Sequence, residues 1–280
     1  MMSELPKWIE VGGYRRRKYL NTKELISEKN LVTVCIEANC PNRYECFSKG
    51  TATFMILGDC CTRRCGYCNV KHGVPEPVDR HEPEKIAHAI KELNLNYAVI
   101  TCVTRDDLDD GGAGQFARTS EEIRRIVPGC KVEFLISDLK GNWRALKKII
   151  DSKPAVLNHN IEVVKEMFAE LRPEGDYGRS IALLKKAKEI NPEITAKSGF
   201  MIGFGETRSQ IIQTIKDLKE AGCDIITIGQ YLQPSANHFK VKKYYTPEEF
   251  NQIKQKALEI GIKRVFAGPL VRSSYKASEV

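Results

Sequence analysis

The sequence predicts an α/β protein, a partial (β/α)6 TIM-like barrel with N-terminal and C-terminal extensions, on three observations. Six short apolar runs alternate with stretches of helical period from residue 51 onward, the pattern of a parallel sheet with crossover helices. The runs end in polar or Gly-rich residues, among them Gly58-Asp59, Asn158-His159-Asn160 and Gly229-Gln230. Three cysteines, Cys61, Cys65 and Cys68, directly follow the first run, where a parallel barrel keeps its active-site face. Six units are fewer than eight, so an open barrel with a wide mouth is expected.

The elements follow in order. Residues 1–50 show no clear periodicity; Pro6, Gly12, Gly13 and a basic run suggest an arm, with a short helix capped by Thr22. Strands are expected at 52–57, 97–101, 131–136, 155–158, 195–202 and 224–229, with a further one at 264–268. Helices are expected at 82–93, 116–127, 142–150, 161–171, 178–190 and 209–221. Asn142 is a cap for one of them, and Ile211, Ile215 and Leu218 share a face of another. Thr246-Pro247-Glu248-Glu249 opens a last helix, with a cap, proline at the first position and acids in the first turn. The chain therefore divides into an arm (1–50), the barrel (51–240) and a closing C-terminal helix and tail (241–280).

The 280 residues can bury a sizeable core, and 42% hydrophobic with 29% charged residues is ordinary for a globular protein. No apolar run approaches the roughly 20 residues of a membrane span, and residues 1–6 lack the apolar core of a secretory signal. A cytoplasmic protein is expected. The net charge of +8 favours acidic partners. Arg15-Arg16-Arg17-Lys18 is either a solvated basic face or a docking patch for one. No basic motif with interleaved aromatics is present, so neither nucleic acid nor membrane is an expected partner.

Ten cysteines without a secretory signal point to metal and not to disulfides. Cys61, Cys65 and Cys68 are spaced C-x3-C-x2-C, so three thiolates converge and a four-iron cube keeps one iron open. Structural zinc wants four ligands in two close pairs, which this trio does not offer. Cys60 beside Cys61 leaves an alternative trio; Cys61 is favoured, with Cys60 as a packing thiol. Cys35, Cys40 and Cys46 form a second metal-binding trio that needs a fourth ligand from elsewhere. Cys60, Cys102, Cys130 and Cys223 read as small buried apolar residues.

The first trio, with aromatic Tyr67 just before its third cysteine, resembles the signature of the radical S-adenosylmethionine enzymes. Both trios, with Gly50-Thr51-Ala52-Thr53-Phe54 between them, resemble the lipoyl synthase family. The likeness continues through Arg105-Asp106-Asp107-Leu108, Asn158-His159-Asn160, Lys197-Ser198-Gly199 and Gly229-Gln230-Tyr231, and ends at Arg272-Ser273-Ser274-Tyr275. It covers nearly the whole chain.

The resemblance implies two [4Fe-4S] clusters and S-adenosyl-L-methionine as cofactors. The open iron of the first cluster chelates the cofactor's amino and carboxylate groups. Reduction breaks a C–S bond, and the resulting 5′-deoxyadenosyl radical takes hydrogen from an unactivated C–H bond. The implied reaction inserts two sulfur atoms at C6 and C8 of an octanoyl chain on a carrier lysine, with the auxiliary cluster as sulfur donor. By the resemblance, catalytic roles fall to Cys61, Cys65, Cys68, Ser274 and Arg272. Ser274 becomes the fourth auxiliary ligand, with Ser273 as the alternative. Tyr67, Asn158 and Asn160 are the expected cofactor-binding residues. Implied partners are octanoylated lipoyl-carrier domains (dehydrogenase E2 subunits, the glycine cleavage H protein), an electron donor such as ferredoxin or flavodoxin, and a cluster-repair protein.

The chain departs from the family at Cys60, where Thr is usual, and at Cys102 and Thr104, where Ser and Asp are usual. Glu206 is expected to be structural, with cofactor contact as the alternative. Asp107 and Asp109 are expected to shape the Gly-rich loop 111–114. Two rivals remain: another sulfur-inserting radical enzyme, and a two-cluster electron carrier, which would need neither a barrel nor open cluster corners.

Overall fold

The computed structural model describes residues 5–9 and 15–279. Residues 1–4 and the Gly12-Gly13 pair of the expected arm lie outside them. The eight strands are mostly parallel and follow one another in chain order. The chain forms two compact units, one of Gly12–Arg63, Val70–Asn158 and Lys276–Val280, the other of Met1–Val11, Arg64–Asn69 and His159–Tyr275.

The first unit opens with α1 (Arg16–Glu28), β1 (Val32–Thr33), α2 (Val34–Glu37), α3 (Arg43–Ser48) and β2 (Thr53–Ile56). It continues with α4 (Glu82–Glu92), β3 (Tyr97–Cys102), α5 (Ala113–Ile126), β4 (Lys131–Leu135), α6 (Trp143–Asp151) and β5 (Val156–Asn158). Register explains its core. Phe54 pairs with Ile100, Ile100 with Phe134, and Phe134 with Leu157, and all four are fully buried. Strand side chains alternate between faces, so this row is one continuous apolar stripe. Phe116 of α5 meets Phe134 edge to face at 4.9 Å. Each such side chain contributes about 1.5–3 kcal/mol on burial.

Two expectations change here. Thr22 lies inside α1 and caps nothing: it is buried, and its hydroxyl donates to the Phe47 carbonyl at 2.8 Å. Only Thr22 and Ile26 of α1 are buried, so the helix has no broad apolar stripe to announce it. Asp110 orders the Gly-rich loop by accepting the Gly112 and Gly114 N–H groups. Asp107 instead pairs with Arg105 at 2.8 Å. Gly112 takes φ +89° at the start of α5, and a Cβ there would run into the Leu57 side chain. Asn142 caps α6 as expected, accepting from the Ala145 N–H at 3.0 Å. The antiparallel two-residue β1 was not anticipated, being too short to show alternation.

The second unit carries α7 (Phe168–Leu171), α8 (Tyr177–Ile190), β6 (Thr195–Ile202), α9 (Arg208–Glu220), β7 (Ile225–Gln230), α10 (Pro247–Ile260) and β8 (Arg264–Gly268). β8 is the further strand read from the sequence; it is parallel to β7, as β7 is to β6. Capping boxes open α9 (Thr207 with Gln210) and α10 (Thr246 with Glu249), each worth about 1 kcal/mol. The helix expected at 161–171 is a helix only in its last part. Residues 161–164 are irregular, with Glu162 at φ +70°, and Glu162 exchanges backbone hydrogen bonds with Gly199 and Met201 of β6. Ile161, Val163 and Val164 are all buried, a spacing that one helix face cannot satisfy. Ile215, Leu218, Ile226 and Ile228 belong to the buried core of this unit. Among the described residues no helix is long and apolar enough to cross a membrane.

Candidate functional site

The N-terminal trio is built by local backbone turns. β1 runs into α2, which carries Cys35; α3 carries Cys46; Cys40 stands in the turn between them. The Cys40 N–H donates to the Cys35 carbonyl at 3.2 Å, and the Arg43 N–H to the Cys40 carbonyl at 3.2 Å. Burial, then the neighbouring Cys40 charge, pushes the Cys35 thiol up to about 11. Burial, then Cys35 and Cys40, pushes Cys46 up to about 12. Cys35 and Cys46 are thus both raised above the ordinary thiol value, burial being the first cause in each. Such a set would suit an iron centre, to which thiols bind as thiolates with loss of their protons.

Of the second trio, Cys61 belongs to the first unit. Cys61 bridges to His72: its N–H donates to the Lys71 carbonyl at 2.8 Å, and the Gly73 N–H donates to its carbonyl at 2.9 Å. Its sulfur accepts the Arg63 N–H at 3.4 Å. Cys60, by contrast, is buried, with its sulfur facing Gly73. Cys102, at the end of β3, is pushed up to about 12, by burial first and also by the Cys61 charge. Cys223 is buried as expected, whereas Cys102 and Cys130 are half-buried.

Arg63 is fixed by two carboxylates. It pairs with Asp106 at 2.7 Å and with Asp138 at 2.6 Å, and Asp138 is fully buried. Burial works against the guanidinium charge, but the hydrogen bonds from Asp106 and Asp138 outweigh it and raise its pKa. The Thr62 N–H and hydroxyl both donate to the Thr104 carbonyl at 3.0 Å. Also in this unit, fully buried Glu133 accepts from the Tyr97 hydroxyl at 2.7 Å and the Asn158 amide at 2.9 Å. Asn158 Oδ1 is buried without a partner.

Cys65, Tyr67 and Cys68 belong to the second unit. The Gly66 N–H donates to the Leu171 carbonyl at 2.8 Å, and the Phe239 N–H to the Gly66 carbonyl at 3.1 Å. His238 bridges the Cys68 carbonyl at 3.1 Å and the Ser235 hydroxyl at 2.9 Å. The Tyr67 ring packs edge to face on Phe204. Its phenol is pushed up by burial and then by the Glu162 charge, with Arg172 opposing. Glu162 is itself raised by burial, which the Arg172 charge, an Asn160 hydrogen bond and the Arg272 charge oppose.

Asn160 joins this cluster to the tail. Its amide donates to the Ser273 hydroxyl at 2.8 Å, and Arg172 Nη1 donates to its carbonyl at 3.2 Å. Asn160 Oδ1 is buried without a partner. Arg272 Nη1 donates to the Val271 carbonyl at 2.7 Å, and Ser274 is half-buried. Arg172, Asn160 and Ser273 are thus tied by hydrogen bonds. Asn158 belongs to the interior strand ladder of the first unit. Glu206 serves its own loop, accepting from the Gly203 and Phe204 N–H groups and the Tyr245 hydroxyl.

Sequence reasoning missed Glu162, Arg172 and the Arg63–Asp106–Asp138 trio. Arg63 stands between two ligand-spaced cysteines, the one available signal. Nothing in the chain pairs it with carboxylates 43 and 75 positions away.

Among the described residues no three His, Cys, Asp or Glu side chains converge tightly enough for a single metal ion. An iron–sulfur cube is larger than an ion and sets its thiolates farther apart. Two thiol-rich groups and buried, unpartnered amide oxygens are the donor set such a cube and a polar cofactor require.

The family model described as the radical SAM superfamily matches residues 55–218. The chain is 49% identical over 274 residues to the lipoyl synthase of Alkaliphilus metalliredigens, covering 98% of this chain and 94% of that protein. It is 47% identical over 279 residues to the lipoyl synthase of Caldicellulosiruptor saccharolyticus, covering 100% and 98%. Among solved structures it resembles HydG, a maturase of the [FeFe]-hydrogenase (TM-score 0.59, 12% identity, 90% of this chain and 70% of that one). It also resembles methylornithine synthase (TM-score 0.57, 12% identity, 88% and 77%). At such identities the likeness shows the fold alone, the open partial barrel of radical SAM enzymes.

Proposed function

Because the chain belongs to the lipoyl synthase family of radical SAM enzymes, we propose that it inserts two sulfur atoms into a protein-bound octanoyl chain. The family uses S-adenosylmethionine and a [4Fe-4S] cluster. The acceptor is an N6-octanoyl-lysine of a lipoyl-carrier domain. One hydrogen leaves each of C6 and C8, one sulfur takes each place, and the product is lipoyl-lysine.

Cys61, Cys65 and Cys68 would hold the radical-initiating cluster, which supplies the electron that splits the sulfonium. Cys35, Cys40, Cys46 and Ser274 would hold a second cluster, whose sulfides are the atoms transferred. A serine oxygen is a weaker partner for iron than thiolate, so that corner is the one to open. Tyr67 and Asn160 would bind S-adenosylmethionine: Asn160 offers a buried, unpartnered oxygen, and Glu162 beside it a carboxylate for hydroxyl groups. Asn158 offers a second such oxygen. Arg272 would balance the negative charge of the second cluster. Tyr67 is partly buried against the apolar core of the second unit, and bound substrate would complete the exclusion of water that a radical requires.

The observation that carries this reading is the N-terminal trio: Cys35, Cys40 and Cys46 stand within twelve residues, and the Cys40 N–H donates to the Cys35 carbonyl at 3.2 Å in the turn between α2 and α3. Radical initiation alone does not need it. Carrier domains of the E2 and glycine-cleavage H type, a ferredoxin or flavodoxin, and a cluster-repair protein are the proposed partners. The exposed Arg15–Lys18 run at the start of α1 is the proposed contact for an acidic carrier.

The test is anaerobic incubation with S-adenosylmethionine, reductant and an octanoylated carrier peptide, read by mass spectrometry. The peptide should gain two sulfurs and lose two hydrogens. Release of 5′-deoxyadenosine with an unchanged peptide would reject sulfur insertion.

A further inference from the structure

We propose that Arg63 is a positioning residue that sets the reduction potential of the cluster at Cys61, Cys65 and Cys68, by holding its backbone N–H on the Cys61 sulfur. The proposal rests on the reading of that trio as cluster ligands.

The Arg63 N–H reaches Cys61 Sγ at 3.4 Å. The Arg63 side chain is only 2% exposed, although it sits in a loop. Its Nε and Nη2 donate to the two Asp106 oxygens at 2.7 and 2.9 Å. Its Nη1 and Nη2 donate to the two Asp138 oxygens at 3.1 and 2.6 Å. The guanidinium thus grips both carboxylates in bidentate fashion, a geometry that fixes position as well as charge. The anchors are themselves tied. Asp138 also accepts the Lys140 N–H at 3.1 Å, and the Asp106 N–H donates to the Thr62 hydroxyl at 3.1 Å. The turn from Cys61 to Arg63 is therefore held from the side-chain end, and its amide cannot swing away from the sulfur.

Two opposite influences on the cluster follow. An N–H donated to a ligating sulfur stabilises the extra electron of the reduced cluster and raises its potential. One guanidinium and two carboxylates sum to a formal charge of −1, which disfavours that electron and lowers the potential. Both act where burial leaves little water to screen them.

The experiment is a potentiometric titration of the full-length, two-cluster holoenzyme, following the electron paramagnetic resonance signal that S-adenosylmethionine perturbs. Arg63→Gln removes the cation and the grip, and should lower the midpoint. Asp106→Asn keeps both Asp138 bonds, removes a negative charge, and should raise it. At the parent's midpoint, the ratio of reduced to oxidised cluster should change by roughly threefold or more, in opposite directions. Arg63→Lys should fall between the parent and Arg63→Gln.

Unchanged midpoints, or shifts of one sign in Arg63→Gln and Asp106→Asn, with iron and sulfide contents intact, overturn the proposal. If Arg63→Gln does not fold, Arg63→Lys and Asp106→Asn decide, and unchanged midpoints in both overturn it. Cys61→Ala tests the premise separately. Loss of one cluster supports the ligand reading, so unchanged midpoints then remove the Arg63 proposal alone. Retention of both clusters removes the premise and the proposal together.

Discussion

Asn160 donates its side-chain amide to the hydroxyl of Ser273 at 2.8 Å, across 113 positions of the chain. This bond engages Ser273 as an acceptor and anchors the tail at the residue before Ser274, the proposed fourth ligand of the second cluster. Ser274→Ala should lower sulfur-inserted product by roughly 100-fold while 5′-deoxyadenosine release persists. Ser273→Ala should lower it by roughly tenfold or less. Reversed ranking in product assays would move the ligand role to Ser273.

The two cysteine trios should separate genetically. Cys40→Ala is expected to abolish the mass gain of the octanoylated peptide and to leave cofactor cleavage within about threefold of the parent. Cys65→Ala should abolish both. Product formation by Cys40→Ala would show that sulfur comes from elsewhere.

Gly229 holds a close approach in the second unit. A Cβ there would run into the Val271 carbonyl and come within 3.0 Å of Arg272 Nη1. Gly229→Ala should displace the tail, cost about 1–3 kcal/mol of stability, and lower product more than cofactor cleavage. Parent-like product yield from the folded variant would argue against a functional tail.

Asp224 predicts an acid limb. Burial acts to raise its pKa, but hydrogen bonds from Lys188, Lys263 and the Ala196 N–H outweigh it and hold it below the usual value of 3.8. A carboxylate depressed in the folded state stabilises the fold above the unfolded value and loses that contribution as pH falls through the folded one. Chemical denaturation should show stability declining below about pH 4. Asp224→Asn should cost about 1–3 kcal/mol at neutral pH and flatten the decline. An unaltered slope would assign the acid limb to other carboxylates.

The exposed basic start of α1 makes a salt-dependent prediction. Reversing Arg15, Arg16, Arg17 and Lys18 should weaken carrier binding by at least about tenfold at low salt and reduce its salt dependence. Equal affinities for parent and variant would free this helix of a docking role.

Legibility followed the reach of each signal. Both capping boxes lie within four residues, and the six expected strands and β8 announce themselves by local apolar runs. α1 did not, because its buried face holds Thr22, a polar residue whose partner, the Phe47 carbonyl, is 25 positions away. Residues 161–164 misled because they run on into a helical stretch, and only the backbone pairing of Glu162 with β6 sets them apart from it. Both cysteine trios are visible as spacing patterns because their members lie within twelve residues of one another.

The linear order of residues was therefore sufficient for the barrel class, the two cysteine groups and the family resemblance, since each is written in short-range spacing. Only the folded chain decided that Arg63 is gripped by Asp106 and Asp138, and that Asn160 donates to Ser273 while its carbonyl accepts from Arg172. The reason is physical. A buried charge must find its counter-charge wherever burial places it, and strand register, not sequence distance, determines which residues those are.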